Sequence, residues 1–103
     1  MSFGDKMIKL SDKGEYDKVN VLENSMDYDK KNFAINTTRY GLRHYTSHFD
    51  CAKYIKEQFD SKYTGIWVAI LRVRGYGSCY YSYSDNGHIC FTMGEFIVDI
   101  FRK

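Results

Sequence analysis

The chain has 103 residues, enough for one domain, and a formal net charge of +2 from 15 basic and 13 acidic residues. Its hydrophobic fraction of 44%, with Tyr 10 and Phe 7, excludes a disordered chain, because that much apolar surface can offset the entropy of ordering. Proline is absent, which excludes a polyproline ligand; the near balance of charge gives no basic face for nucleic acid; and no apolar run is long enough for a membrane helix.

Residues 1–18 are rich in Lys, Asp and Gly and are expected to form a flexible tail ahead of a domain over 19–103. The opening Met1-Ser2-Phe3-Gly4 has no apolar run for a secretory signal and no Met-Gly for myristoylation. A short strand is expected over 19–22. A helix is expected over 25–45, with Ser25 as N-cap and a small face of Ala34, Thr38, Gly41, Leu42 and Tyr45. A second helix over 48–63 opens on the capping-box-like Ser47-His48-Phe49-Asp50 and carries the stripe Ala52, Ile55, Phe59, Tyr63. Gly65 suits a left-handed stop.

After Gly65 the period changes from helical to two. The apolar run 66–73 predicts a central, buried strand. Gly75-Tyr76-Gly77 breaks it, and the Tyr-rich 78–84 is the next strand. Asp85-Asn86-Gly87 is a tight-turn signal. Residues 88–93 alternate, with Ile89, Phe91 and Met93 on one face and His88, Cys90 and Thr92 on the other. Gly94-Glu95 turns the chain into a last strand over 96–101. Two helices followed by closely spaced strands mean an α+β fold with the helices packed on an antiparallel sheet.

Chemical motifs are weak. His44 and His48 are four residues apart on a helix, but no third ligand is placed beside them, and solvent-facing histidines are the better reading. Cys79, Cys90 and His88 could form a cysteine–histidine nucleophile, or a small redox or metal centre, yet no orienting third group is evident. Reduced, half-buried thiols are the simpler expectation for three cysteines without a secretory signal. Gly75-Tyr76-Gly77-Ser78 lacks the Lys-Ser/Thr of a phosphate loop. Glu57, Asp60, Asp85, Glu95 and Asp99 are scattered, with no pair set for acid–base work. By elimination the chain is a binding or assembly module: not an enzyme, with no cofactor and no metal.

The passage Ile55-Lys56-Glu57-Gln58-Phe59-Asp60-Ser61-Lys62-Tyr63-Thr64-Gly65-Ile66-Trp67 resembles the helix-to-strand passage of the small, strand-swapped dynein light chains. Gly75-Tyr76-Gly77-Ser78 is similar to that family's Phe/Tyr-Gly-Ser strand opening, and Ile89-Cys90-Phe91-Thr92-Met93-Gly94 with Ile100-Phe101 resembles its last two strands. The resemblance implies a homodimer with an exchanged strand. Two grooves then form at the interface, where an extended segment of another protein adds as a further strand. Tyr76, Gly77, Ser78, Cys79, Tyr80, Tyr81 and Ser82 would be the edge that pairs with it, and His88, Cys90 and Thr92 the groove floor, with His48 and Phe49 beside it. Trp67, Val68, Tyr76 and Tyr80 would lie at the dimer interface.

The partners implied are a second copy of the chain, the dynein intermediate chain and other proteins with extended linear motifs, in a cytoplasmic, microtubule-associated dynein complex. No nucleic acid and no membrane is implied. A motor-independent adaptor is the alternative. The departures from the family are specific. His48-Phe49 stands where the family has a Glu-Lys pair that holds a ligand glutamine. The floor residues are not aromatic. Val68 replaces an interfacial histidine whose protonation favours monomers.

Overall fold

The structure, a computed structural model, describes residues 16–73 and 87–103. Its elements are β1 (Val19–Asn24), α1 (Tyr28–His44), α2 (His48–Lys62), β2 (Trp67–Val73), β3 (His88–Met93) and β4 (Phe96–Arg102). They form the expected α+β arrangement, two helices packed on an antiparallel sheet. The expected strand over 78–84 and the turn residues Asp85 and Asn86 lie outside the described residues.

Helix α1 starts two residues later than expected. Asp27 is its N-cap, and the Asp27 carboxylate accepts from the Lys30 N–H at 2.9 Å. Ser25 is engaged elsewhere: its N–H donates to the His88 carbonyl at 2.8 Å, and its Oγ accepts from the His88 N–H at 3.1 Å. The hydroxyl that could cap the helix is used by the sheet instead. Ser47 caps α2 as expected, accepting from the Asp50 N–H at 3.2 Å.

The buried stripe of α2 is Cys51, Ile55 and Phe59, so Cys51 takes the place expected of Ala52. Spacing by four fits this stripe better than the expected three-then-four. Its contact with α1 is close at Gly41, where an added Cβ would stand 2.9 Å from Cys51 Sγ. Gly41 is therefore required for helix approach. Gly65 turns the chain with φ 105°, and a Cβ there would meet the Arg102 side chain at 2.5 Å.

Asp60 joins the end of α2 to the start of β2. Its Oδ1 accepts from the Trp67 N–H at 3.0 Å, and Lys56 bonds its other oxygen. The Lys56 hydrogen bond, with that from Trp67, holds the Asp60 carboxyl below its usual range. The Trp67 indole N–H donates to the Thr64 carbonyl at 3.2 Å and its ring packs on Phe59 with centroids 4.8 Å apart. Phe33 meets Phe59 edge-on at 5.0 Å. Ile89, Phe91, Met93, Val98 and Ile100 complete this core, all fully buried. Each large side chain buried in this way contributes about 1.5–3 kcal/mol.

The sheet order is β1-β3-β4-β2, all antiparallel. The expectation that 66–73 is buried holds for Trp67, whereas its central place concerns neighbours outside the described residues. Among the described residues β2 pairs only with β4 and stands at the sheet edge, with residues 68–73 half-buried and Ile66 exposed. A continuous apolar run reports cover on both faces; it does not report pairing on both edges.

Residues 16–18, expected at the end of a tail, are docked. The Tyr16 ring is buried against Phe96 at 6.4 Å, and Arg39 Nε donates to the Tyr16 carbonyl at 2.9 Å. Asp17 pairs with Arg39 at 3.5 Å and Arg43 at 3.4 Å, and the Gly94 N–H donates to the Lys18 carbonyl at 3.2 Å. The rest of the expected tail lies outside the described residues. No helix among the described residues is long and apolar enough to cross a membrane.

Candidate functional site

Strand register decides which side chains share the sheet face turned away from the helices. β3 and β4 form a hairpin in which Thr92 faces Ile97, Cys90 faces Asp99 and His88 faces Phe101. From β2, Ile70 lies beside Asp99 and Arg72 beside Ile97. From β1, Asn20 meets Thr92 and Glu23 meets Cys90, the latter after a one-residue bulge at Leu22. Directly opposed residues point to one side. Glu23, His88, Cys90, Thr92, Asp99 and Arg72 thus share a single surface.

A polar row runs across it. His88 Nε2 lies 2.7 Å from Asp99 Oδ1, an N–H to carboxylate hydrogen bond, and His88 Nδ1 is 3.9 Å from Glu23 Oε1. Asp99 is 0% exposed and His88 2%. The second Asp99 oxygen, Oδ2, has no hydrogen-bond donor. Burial raises the Asp99 carboxyl above its ordinary range, opposed by the His88 hydrogen bond and by the charges of His88 and Arg72. Thr92 Oγ1 donates to the Asn20 carbonyl at 3.5 Å.

The three expected floor residues His88, Cys90 and Thr92 are therefore on one face, opposite Ile89, Phe91 and Met93. Cys90 does not carry the expected free thiol: it is fully buried and disulfide-bonded. A nucleophile pair of Cys90 with His88 needs a thiolate that this bond removes, and His88 is committed to Asp99. Cys51 is a free cysteine, and burial pushes its thiol up to about 12, so it is inert at neutral pH. His44 and His48 do not converge. His44 stacks on Tyr40 with centroids 3.8 Å apart, and His48 meets Phe96 edge-on at 5.0 Å. No metal-binding group of three His, Cys, Asp or Glu residues exists among the described residues.

A second feature adjoins the edge of β2. A hollow of about 410 Å³ is walled by Phe49, Ala52, Lys53, Lys56, Trp67, Val68 and Ala69. Phe49 is 75% exposed and Ile66 62%. The structure brings Phe49 together with Trp67 and Val68, and separates it from His48, which turns to Phe96. Trp67 lines this hollow while being 0% exposed. The expected edge residues Tyr76, Gly77, Ser78, Cys79, Tyr80, Tyr81 and Ser82 all lie outside the described residues.

Asp99 and Glu23 are the residues that sequence reasoning missed. A signal for Asp99 was present: the two-residue turn Gly94-Glu95 pairs Met93 with Phe96, which fixes Cys90 opposite Asp99 and sets His88 diagonal to it. One charged residue inside a strand of buried apolar neighbours needs a partner, and His88 is within diagonal reach. Glu23 gave no comparable signal, because the bulge at Leu22 decides its face.

The sequence profile of dynein light chain type 1 matches residues 18–103. Two solved structures of the dynein light chain-like domain of Fasciola hepatica calcium binding protein FhCaBP2 share the fold. A native form has a TM-score of 0.72 at 17% identity, covering 90% of this chain and 96% of that one. A mercury derivative has a TM-score of 0.66 at 18% identity, covering 82% of this chain and 91% of that one. A comparison with curated proteins gave no match.

Proposed function

The chain belongs to the dynein light chain type 1 family, and from that premise we propose that it is a non-catalytic, homodimeric hub that binds extended segments of other proteins by strand addition. The observation that carries this is the edge of β2. Among the described residues its outer backbone groups face no strand, while Phe49 and Ile66 leave apolar surface exposed beside it. A sheet edge flanked by apolar side chains is a hazard for a free monomer, and a twofold-related copy covers both features at once.

In this reading the residues 76–82 pair outward from a partner's sheet, and a guest strand lies along them over the floor of His88, Cys90 and Thr92. Main-chain hydrogen bonds contribute about 0.5–1.5 kcal/mol each against an ordering cost of about 1–2 kcal/mol per residue, so one short peptide binds modestly. Two grooves that engage two linked chains raise avidity about 10²–10⁴-fold. The role is to hold two partner chains side by side, in a cytoplasmic, microtubule-associated dynein complex through the intermediate chain. Phe49 in place of a charged residue at the groove entrance favours a changed motif, and so a motor-independent adaptor as the second reading.

Size-exclusion chromatography with light scattering at neutral pH tests the dimer, with twice the chain mass expected at micromolar concentration. A strict monomer overturns the reading. Capture of the intermediate chain from the same cell separates the motor-bound role from the adaptor role.

A further inference from the structure

A cavity of about 160 Å³ lies where the α1–α2 connection, the start of β4 and the docked residue Tyr16 meet. Among the described residues it shares no wall with the hollow beside β2. Its floor is dry: Tyr16, Leu42, Cys51 and Phe96 line it and are buried. Its mouth is open, with Tyr45 and Glu95 both exposed. The Tyr16 and Phe96 rings stand 6.4 Å apart and tilted at 44°, two non-parallel aromatic walls. Tyr45 adds a third ring, braced by Tyr54 at 5.5 Å. The charge of the site is acidic. Among the described residues no Lys or Arg lines it, and Glu95 makes no ion pair. The Arg39 that bonds the Tyr16 carbonyl is paired with Asp17. Asp50 in the first turn of α2 offsets the positive end of that helix, which also reaches the mouth.

We propose that this cavity binds a methylated ammonium group, with Tyr16, Tyr45 and Phe96 as its aromatic walls and Glu95 as its counter-charge. Aromatic faces attract a cation through the ring quadrupole, and most strongly where water is excluded. The size agrees, since a cavity of about 150 Å³ admits a guest as large as benzene, and a trimethylammonium group has similar bulk. Methylation follows from the floor. A primary ammonium carries three donors, whereas Leu42 and Phe96 offer no acceptor and Cys51 only a weak one. A fully methylated nitrogen donates nothing, so the dry floor leaves it no unmet bond. The group arrives either on a free small molecule such as choline or on a trimethylated lysine of another protein; the chemistry recognised is the same. This site is independent of strand addition and of the β2 edge.

The test is titration of the full chain, followed by amide NMR shifts, with four probes: choline, its neutral tert-butyl isostere, a short peptide carrying one trimethyllysine, and the same peptide unmethylated. Choline is expected to bind saturably, with shifts centred on Tyr45 and Glu95. The neutral isostere should bind about threefold to thirtyfold more weakly, the share that the cation contributes. Tyr45→Leu should weaken choline binding about threefold or more, and Glu95→Gln about twofold to fivefold. Both side chains are exposed, so neither change threatens the fold. Tighter binding of the methylated peptide than of choline assigns the site to a modified protein, and the reverse order to a free small molecule; either supports the inference. No saturable binding of either methylated probe at low millimolar concentration overturns it. So does equal affinity for the neutral isostere or the unmethylated peptide, a response centred away from Tyr45 and Glu95, or binding unchanged in both variants. None of these outcomes bears on strand addition, whose own test is the dimer.

Discussion

Strand β3 serves both faces of the sheet within six residues. Ile89, Phe91 and Met93 enter the core beneath the helices; His88, Cys90 and Thr92 line the other side; and all six are buried. Antiparallel sheets commonly keep one face packed and one wet. Here the polar side is as dry as the apolar one, and the two are held by different forces. The core face is stabilised by area removed from water, which is tolerant of detail. The outer face depends on matched hydrogen bonds, where one missing partner counts. The difference teaches that burial alone does not mark a core: among the described residues the outer face has an unmet acceptor, and the core face has none in its strands.

The comparison breaks most visibly on the core side. Phe59→Ala should destabilise by about 3–5 kcal/mol, read as a urea midpoint shift, since it removes contacts with Phe33, Tyr63 and Trp67 together. A loss under about 1 kcal/mol would show that the helix layer is not closely packed there.

The outer face should answer differently. His88→Ala leaves Asp99 buried without its donor and should cost about 2–3 kcal/mol. The double variant His88→Phe/Asp99→Leu should return to within about 1 kcal/mol of wild type, a recovery that no pair of core truncations would show. The same carboxyl gives a pH signature. Its folded-state affinity for a proton exceeds the unfolded one, so its stabilising contribution is complete below the unfolded value and lost as pH rises through the folded value. Asp99→Asn should therefore gain stability relative to wild type as pH rises above the ordinary carboxylate range, in a urea series, with Glu23, His88 and Arg72 as the charges that face the group. A difference constant with pH would remove Asp99 from this account.

The smallest effect concerns neither face. Asp27→Ala should cost about 1 kcal/mol through loss of the α1 cap, while Ser25→Ala should leave helix content unchanged and loosen the sheet at His88. Circular dichroism with hydrogen exchange at the His88 amide separates the two.

The parts of the molecule that depend on local spacing were legible. The alternation of 88–93, the Ser47 cap, the stop at Gly65 and the apolar positions Ile55 and Phe59 follow from period and turn chemistry alone. What was not legible depends on residues far apart in the chain. Ser25 reads as a cap until His88, 63 residues away, takes its hydroxyl. Cys51 outranks Ala52 only because Gly41 of the neighbouring helix makes room for sulfur. The pairing of β2 with β4 is a matter of long-range register, to which its own composition is blind. For the site, His88, Cys90 and Thr92 were placed on one face by alternation, whereas their polar partners Asp99 and Glu23 required the hairpin register and the bulge.

That bulge carries a consequence for how the strand can vary. Val21 faces Phe91 and Glu23 faces Cys90, so Leu22 has no counterpart of its own and its side chain is 48% exposed. It is a spare residue. A deletion at position 22 would leave every other rung of the ladder matched, and a natural length change in this strand has one position where it is harmless. Deletion of the next residue, Glu23, would instead strip His88 of its second acid neighbour.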